Sequence, residues 1–181
     1  MKYKVFFSLL ASVLLIVGIL LVLHHPHSST SAPKPKTKTS SASISDVLAP
    51  SAIVKGASQN ISIGGDSEQP EVVYTMTVGC ADCIGMAKEL NSIAAEYESK
   101  GVKFYGVDIE GTDSVKVVDY WINAITSPNH ITYTVDAYSN FLQEYKVTQL
   151  SELYILYKGK IMYQAQSPST KDVQLALSRI V

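Results

Sequence analysis

The sequence predicts an α/β domain, strands alternating with helices and closing on a hairpin and a last helix, behind an N-terminal transmembrane helix. Three observations carry this. Short runs rich in Val, Ile and Tyr alternate with stretches whose apolar residues recur every three or four positions. A Tyr157-Lys158-Gly159-Lys160 turn joins the last two such runs as a hairpin. The two cysteines of the chain, Cys80 and Cys83, stand where a strand-like run gives way to a helix-like one.

Residues 5–23 form an unbroken uncharged run of 19 residues, relieved only by Ser8, Ser12 and Gly18, after Lys2 and Lys4. A bilayer-spanning helix needs roughly 17–25 such residues. Thr30-Ser31-Ala32 followed by Pro33 is a poor cleavage site and no cysteine lies near, so residues 1–23 are expected to form an uncleaved signal anchor rather than a cleaved leader or a lipoprotein. Residues 24–46, rich in His, Ser, Thr, Pro and Lys, lack the apolar surface needed to fold and are expected to form a disordered tether. His24, His25 and His27 have no carboxylate or thiol beside them, and they read as linker rather than a metal site.

Residues 47–181 are expected to make one domain. Predicted strands are Val72–Met76, Val102–Val107, Ile131–Val135, Leu153–Tyr157 and Lys160–Gln164. Ile84, Ala87, Leu90, Ile93, Ala94 and Tyr97 define one apolar face of a first helix over Ile84–Lys100, with Gly101 as its stop. Further helices are predicted over Ser114–Ile125, Tyr138–Tyr145 and Lys171–Ile180, the last capped by Ser169 or Thr170.

Charge divides the chain. The first 40 residues hold five lysines and no acids, leaving 10 basic against 16 acidic residues in the remainder, a net of −6. An acidic domain with Arg179 as its single arginine argues against a nucleic-acid surface. The lysines flanking the apolar run nearly balance, but a short N-terminal flank before a long domain favours export of that domain. The expected location is the cell membrane, single-pass, with the C-terminal domain extracytoplasmic; a cysteine count of one pair suits that compartment.

The Cys80-Ala81-Asp82-Cys83 spacing gives disulfide exchange a minimal apparatus. The first sulfur sits at a helix start, where unpaired N–H groups and the helix dipole favour a thiolate. The second, one turn on, can resolve a mixed disulfide. Asp82 is expected to stabilise the helix start while raising the Cys80 pKa, which makes the couple less oxidising. The competing readings are a structural disulfide or idle thiols. Zinc lacks ligands, since one CxxC supplies two and His130, the lone histidine of the domain, has no cysteine near it in sequence. Thr77-Val78-Gly79-Cys80 has a peroxidase-like spacing, but its arginine partner would have to be Arg179, expected to be buried in the last helix. Tyr74, Tyr105 and Tyr133 read as core, Trp121 as packing, and Tyr154 either as packing or as the floor of a peptide groove.

The order of elements, with a CxxC opening the first helix, resembles the thioredoxin fold, which implies an α/β three-layer sandwich with a central mixed sheet flanked by helices. The stretch from about Ala57 to Val181 resembles, more narrowly, the membrane-anchored TlpA/ResA-like thiol–disulfide oxidoreductases. The resemblance rests on the CxxC helix, on Gly101–Asp108 as a second strand, on Ile131–Asp136 as an inserted strand ending in Asp, and on Tyr145-Lys146-Val147 leading to the Leu153–Ile161 hairpin. Three positions depart from that pattern. Gly79 replaces an aromatic residue, Met86 replaces an acidic one, and Ser151 stands where such folds place a cis-proline facing the disulfide. A non-proline cis bond costs roughly 2.5–4 kcal/mol, so the Leu150–Ser151 peptide is expected to be trans. Leu150 and Ser151 are the substrate-loop candidates that the resemblance implies.

The resemblance implies an oxidoreductase with catalytic Cys80 and Cys83 tuned by Asp82, no cofactor, and exported thiol or disulfide proteins or peptides as partners, with a membrane electron-donor protein upstream. The alternative is a redox-silent binding or accessory module on the same scaffold, of the kind that helps a secreted peptide mature.

Overall fold

The computed structural model describes residues 47–181, and the apolar run 5–23, the tether and its histidines lie outside them. No helix among the described residues is long and apolar enough to cross a membrane.

The described residues open with a hairpin that lies outside the strands predicted from the sequence. Strand β1 (Ser51–Lys55) buries Ala52 and Val54 and exposes the residues between them, and β2 (Asn60–Gly64) returns antiparallel to it. A four-residue turn joins them, closed by the Gly56 N–H on the Gln59 carbonyl at 3.0 Å. The signal was a faint one, Ala52 and Val54 against Ile61 and Ile63, with the apolar Ile53 breaking the alternation in β1.

The centre of the sheet is β3 (Glu71–Met76), buried along its whole length. Both of its faces are covered, so it reads as a near-continuous apolar run rather than an alternation. It pairs parallel with β4 (Lys103–Asp108) and antiparallel with β6 (Glu152–Tyr157). Beyond β4 lies β5 (Thr132–Val135), parallel to it, and beyond β6 lies β7 (Lys160–Gln166), antiparallel. The first hairpin joins the β5 edge at Lys55↔Val135, giving seven strands in the order β2-β1-β5-β4-β3-β6-β7. Lys158 and Gly159 in the β6–β7 turn both have positive φ (47° and 71°), as a two-residue hairpin turn requires.

Alternate side chains of β3 feed two cores. Val72, Tyr74 and Met76 point into one, with α1 (Ala81–Glu98), α2 (Val115–Asn123) and α4 (Thr170–Leu177). Val73 points into the other, with Val54, Ile63, Tyr154 and Phe141 of the short helix α3 (Asn140–Glu144). The structure is therefore helices, mixed sheet, and a thinner third layer built on α3. The longest helix, α1, buries Cys83, Met86, Ala87, Leu90, Ile93, Ala94 and Tyr97; the predicted stripe holds from Ala87 onward, but Cys83 and Met86 take its first turn and Ile84 is only half-buried. Its C-terminus closes through the Gly101 and Val102 N–H groups on Glu98 and Tyr97, with Gly101 at φ 82°. Ser114 and Ser169 cap α2 and α4 through their side chains.

This topology gathers the loops that carry chemistry. The parallel strands β3, β4 and β5 end on one side of the sheet, where antiparallel β6 begins. Loops 77–80, 109–114, 136–139 and 148–151 consequently share one rim, the usual place for a site in an α/β sheet.

Candidate functional site

The site begins with a tight turn. The Cys80 N–H returns to the Thr77 carbonyl at 3.3 Å, and Gly79 at the third position has φ 82°. A Cβ added at Gly79 would meet nothing within 4 Å, so the requirement for glycine is the backbone angle and not space. That accounts for the missing aromatic residue.

Cys80 follows in extended conformation as the N-cap of α1, and its Sγ accepts the Cys83 N–H at 3.1 Å. Sulfur here takes the role that a serine or aspartate oxygen usually has at a helix start. Cys80 and Cys83 form a disulfide with Cα atoms 5.2 Å apart. The two sulfurs are not equivalent: Cys80 is half-exposed, whereas Cys83 is fully buried in the core under α1. An incoming thiolate can reach Cys80; Cys83 is left as the inner partner. Asp82 stands exposed in the first turn, where a negative charge suits the helix dipole.

The opposite wall is the 148–152 loop. The Leu150–Ser151 peptide is trans, as predicted, and Ser151 has φ 60°. Its N–H donates to the Thr75 carbonyl at 2.8 Å and its carbonyl accepts from Ser167 N–H at 2.8 Å. A proline fits neither that angle nor that donor role. Thr75 fixes the loop further, for its Oγ1 accepts the Glu152 N–H at 3.0 Å and donates to the Gln149 carbonyl at 3.2 Å. Ser151 is 3% exposed with both backbone groups occupied, so of the two substrate-loop candidates it is half-buried Leu150 that reaches the surface. The Ser151 hydroxyl instead turns inward, 3.7 Å from Cys83 Sγ.

Below the turn lies a carboxyl group the sequence reading passed over. Asp108 ends β4 beside Met76 of β3 and is fully buried. Its Oδ1 accepts the Glu110 N–H at 2.9 Å, while Oδ2 is buried without a hydrogen-bond partner. Burial pushes its pKa up to about 6, the neighbouring charges of Asp113 and Glu110 push the same way, and the Glu110 and Val78 amides oppose them. Glu110 also ties this segment to the cysteine turn, its Oε2 accepting from Thr77 Oγ1 at 2.6 Å. The signal was the Asp closing an otherwise apolar strand.

Other residues singled out in the sequence lie elsewhere. Tyr74, Tyr105, Tyr133 and Trp121 pack as expected. Tyr154 is fully buried in the core away from α1, so it floors no groove; its hydroxyl donates to Glu152 Oε2 at 2.5 Å, and burial and that contact hold its pKa above the usual phenol range. His130 meets Glu98, with Nδ1 3.3 Å from Oε2, away from the cysteines. Arg179 is exposed just past the end of α4, contrary to the expectation that the last helix would bury it, because α4 stops at Leu177. Among the described residues no group of three metal-ligating side chains comes together.

No family model matches the chain. It is 30% identical over 122 residues to the mercury resistance operon ORF3 protein of Streptomyces lividans, an alignment covering 66% of this chain. The chain spans 63% of the length of that curated relative. Among solved structures it resembles the thioredoxin domain of a thiol-disulfide oxidoreductase from Bacteroides vulgatus, with a TM-score of 0.63 at 16% identity over 75% of this chain and 96% of that one. A thiol:disulfide interchange protein from Bacteroides sp. matches with a TM-score of 0.62 at 16% identity over 76% and 90% of the two chains. The fold is thioredoxin-like. Within it, the Cys80–Cys83 disulfide occupies the start of the first long helix, and Ser151 faces it from the loop before β6.

Proposed function

We propose that this thioredoxin-like domain is a thiol–disulfide oxidoreductase, tethered outside the cytoplasmic membrane and exchanging disulfides with exported proteins or peptides. The observation that carries the chemistry is the asymmetry of the pair, a half-exposed Cys80 capping α1 and joined to a fully buried Cys83. A substrate thiolate attacks Cys80 Sγ and forms a mixed disulfide, and Cys83 leaves as a thiolate. In the reverse direction Cys83 attacks Cys80 Sγ and expels the substrate. Asp82 adds negative charge near Cys80 and disfavours its thiolate, which suits a reductant or a slow exchanger better than a strong oxidant. The oxidoreductase named among the structural neighbours supports the same chemistry.

The address rests on sequence. The uncharged run 5–23 behind Lys2 and Lys4, and the polar stretch that follows it, support an anchored and exported domain. An electron-donor protein in the membrane would keep such a domain reduced. A redox-silent accessory module draws its support from Ser151 and Gly79, the two departures beside the pair.

The test is a trap. In Cys83→Ser the mixed disulfide on Cys80 has no internal thiol to release it, so envelope preparations should yield adducts of the full chain that dithiothreitol dissolves. Cys80→Ser should yield none. Equal recovery from the two variants sinks the enzyme reading. Protease added outside intact cells should cut the domain; complete protection contradicts the exported address.

A further inference from the structure

We propose that Ser151 is a catalytic residue: its hydroxyl donates a hydrogen bond to Cys83 Sγ and stabilises the thiolate released when the disulfide opens. This rests on the exchange reaction proposed above. In the oxidised protein Cys83 carries no proton, so the 3.7 Å contact between the two side chains has one possible donor, the serine O–H. The hydroxyl is held for that purpose. Ser151 is 3% exposed, its N–H is bound to Thr75 and its carbonyl to Ser167, and its φ of 60° is one that a non-glycine residue adopts only where surrounding bonds impose it.

The need for a donor follows from where the charge appears. When a substrate thiolate attacks Cys80 Sγ, the new sulfur–sulfur bond forms there, the Cys80–Cys83 bond breaks, and the electron pair moves onto Cys83. That sulfur is fully buried, in a core with Met86, Ala87, Leu90 and Leu153. An anion in apolar surroundings is costly, and burial raises a thiol's pKa. A hydrogen bond to a charged group lowers that cost by more than a neutral one does. The same bond keeps Cys83 available as a thiolate for the return attack on the mixed disulfide. Proline in this place has no donor to offer; the serine makes the loop part of the leaving-group machinery.

Two variants and two readouts test this. Ser151→Ala removes the hydroxyl. Ser151→Gly removes it while relieving the positive φ, and so remains readable if the alanine variant folds poorly. In a Cys80→Ser background, followed by thiolate absorbance against pH, both substitutions should raise the Cys83 pKa by about one unit. In the two-cysteine protein both should slow attack by dithiothreitol on the disulfide about tenfold. Ser151→Asn, which tolerates this backbone region and restores a donor, should recover part of each effect. An unchanged Cys83 pKa in both alanine and glycine variants overturns the role of Ser151. The pKa is measured whether or not the pair turns over, so an inert disulfide with a shifted Cys83 pKa overturns the proposed function and the catalytic role with it, leaving only the hydrogen bond to Cys83, whereas an exchanging pair with an unshifted Cys83 pKa overturns the role of Ser151 alone.

Discussion

Cys80 Sγ accepts the Cys83 backbone N–H at 3.1 Å, so the first cysteine caps the helix that carries the second. The bond ties reactivity to fold. A thiolate on Cys80 would accept the same N–H more strongly than a thiol would, and the helix start therefore favours the ionised sulfur.

Asp82 works against that preference from the first turn. Asp82→Asn should lower the Cys80 pKa and make the couple more oxidising, read as a less negative potential in a glutathione equilibrium. An unchanged or more negative potential would show that Asp82 does not tune the pair.

Asp108 predicts a pH dependence of stability. Its folded pKa of about 6 lies above the unfolded value of 3.8, so the folded state holds the proton more tightly. The associated stability is fully present below pH 3.8 and is lost as pH rises through about 6. A shift of that size amounts to at most about 3 kcal/mol. Asp108→Asn should thus gain on the native protein between pH 4 and pH 7.5 in urea unfolding. A difference that stays flat with pH would mean that Asp108 is not held protonated by burial.

Gly79 predicts a cost that is purely conformational. Its φ is 82° and a Cβ there meets nothing beyond its chain neighbours, so Gly79→Ala should destabilise by about 1 kcal/mol through the local backbone alone. The turn would relax before the helix does, so the loss should be larger in exchange rate than in thermal stability. Wild-type behaviour in both would remove the turn from the account.

Much of this was legible in the residues. The stripe from Ala87 to Tyr97, the Gly101 stop, the Ser169 cap and the Lys158-Gly159 turn are local signals, and each appears where expected. The first hairpin was not legible, because β1 and β2 are short strands at one end of the sheet with weak alternation, stabilised by tertiary contacts such as the Tyr145 hydroxyl on the Pro50 carbonyl at 2.7 Å. The cysteine pair stood out by its spacing. Asp108 and the inward turn of Ser151 did not, since the burial of Asp108 comes with its pairing beside Met76 of β3 and the Ser151 hydroxyl meets a cysteine 68 positions away.

The most direct test of the central claim is insulin reduction by the described domain with dithiothreitol as electron source. The Cys80–Cys83 protein should accelerate insulin precipitation well above the uncatalysed reaction, and Cys80→Ser should return it to that background. A wild-type rate equal to that of Cys80→Ser would contradict the claim that this disulfide exchanges with protein thiols.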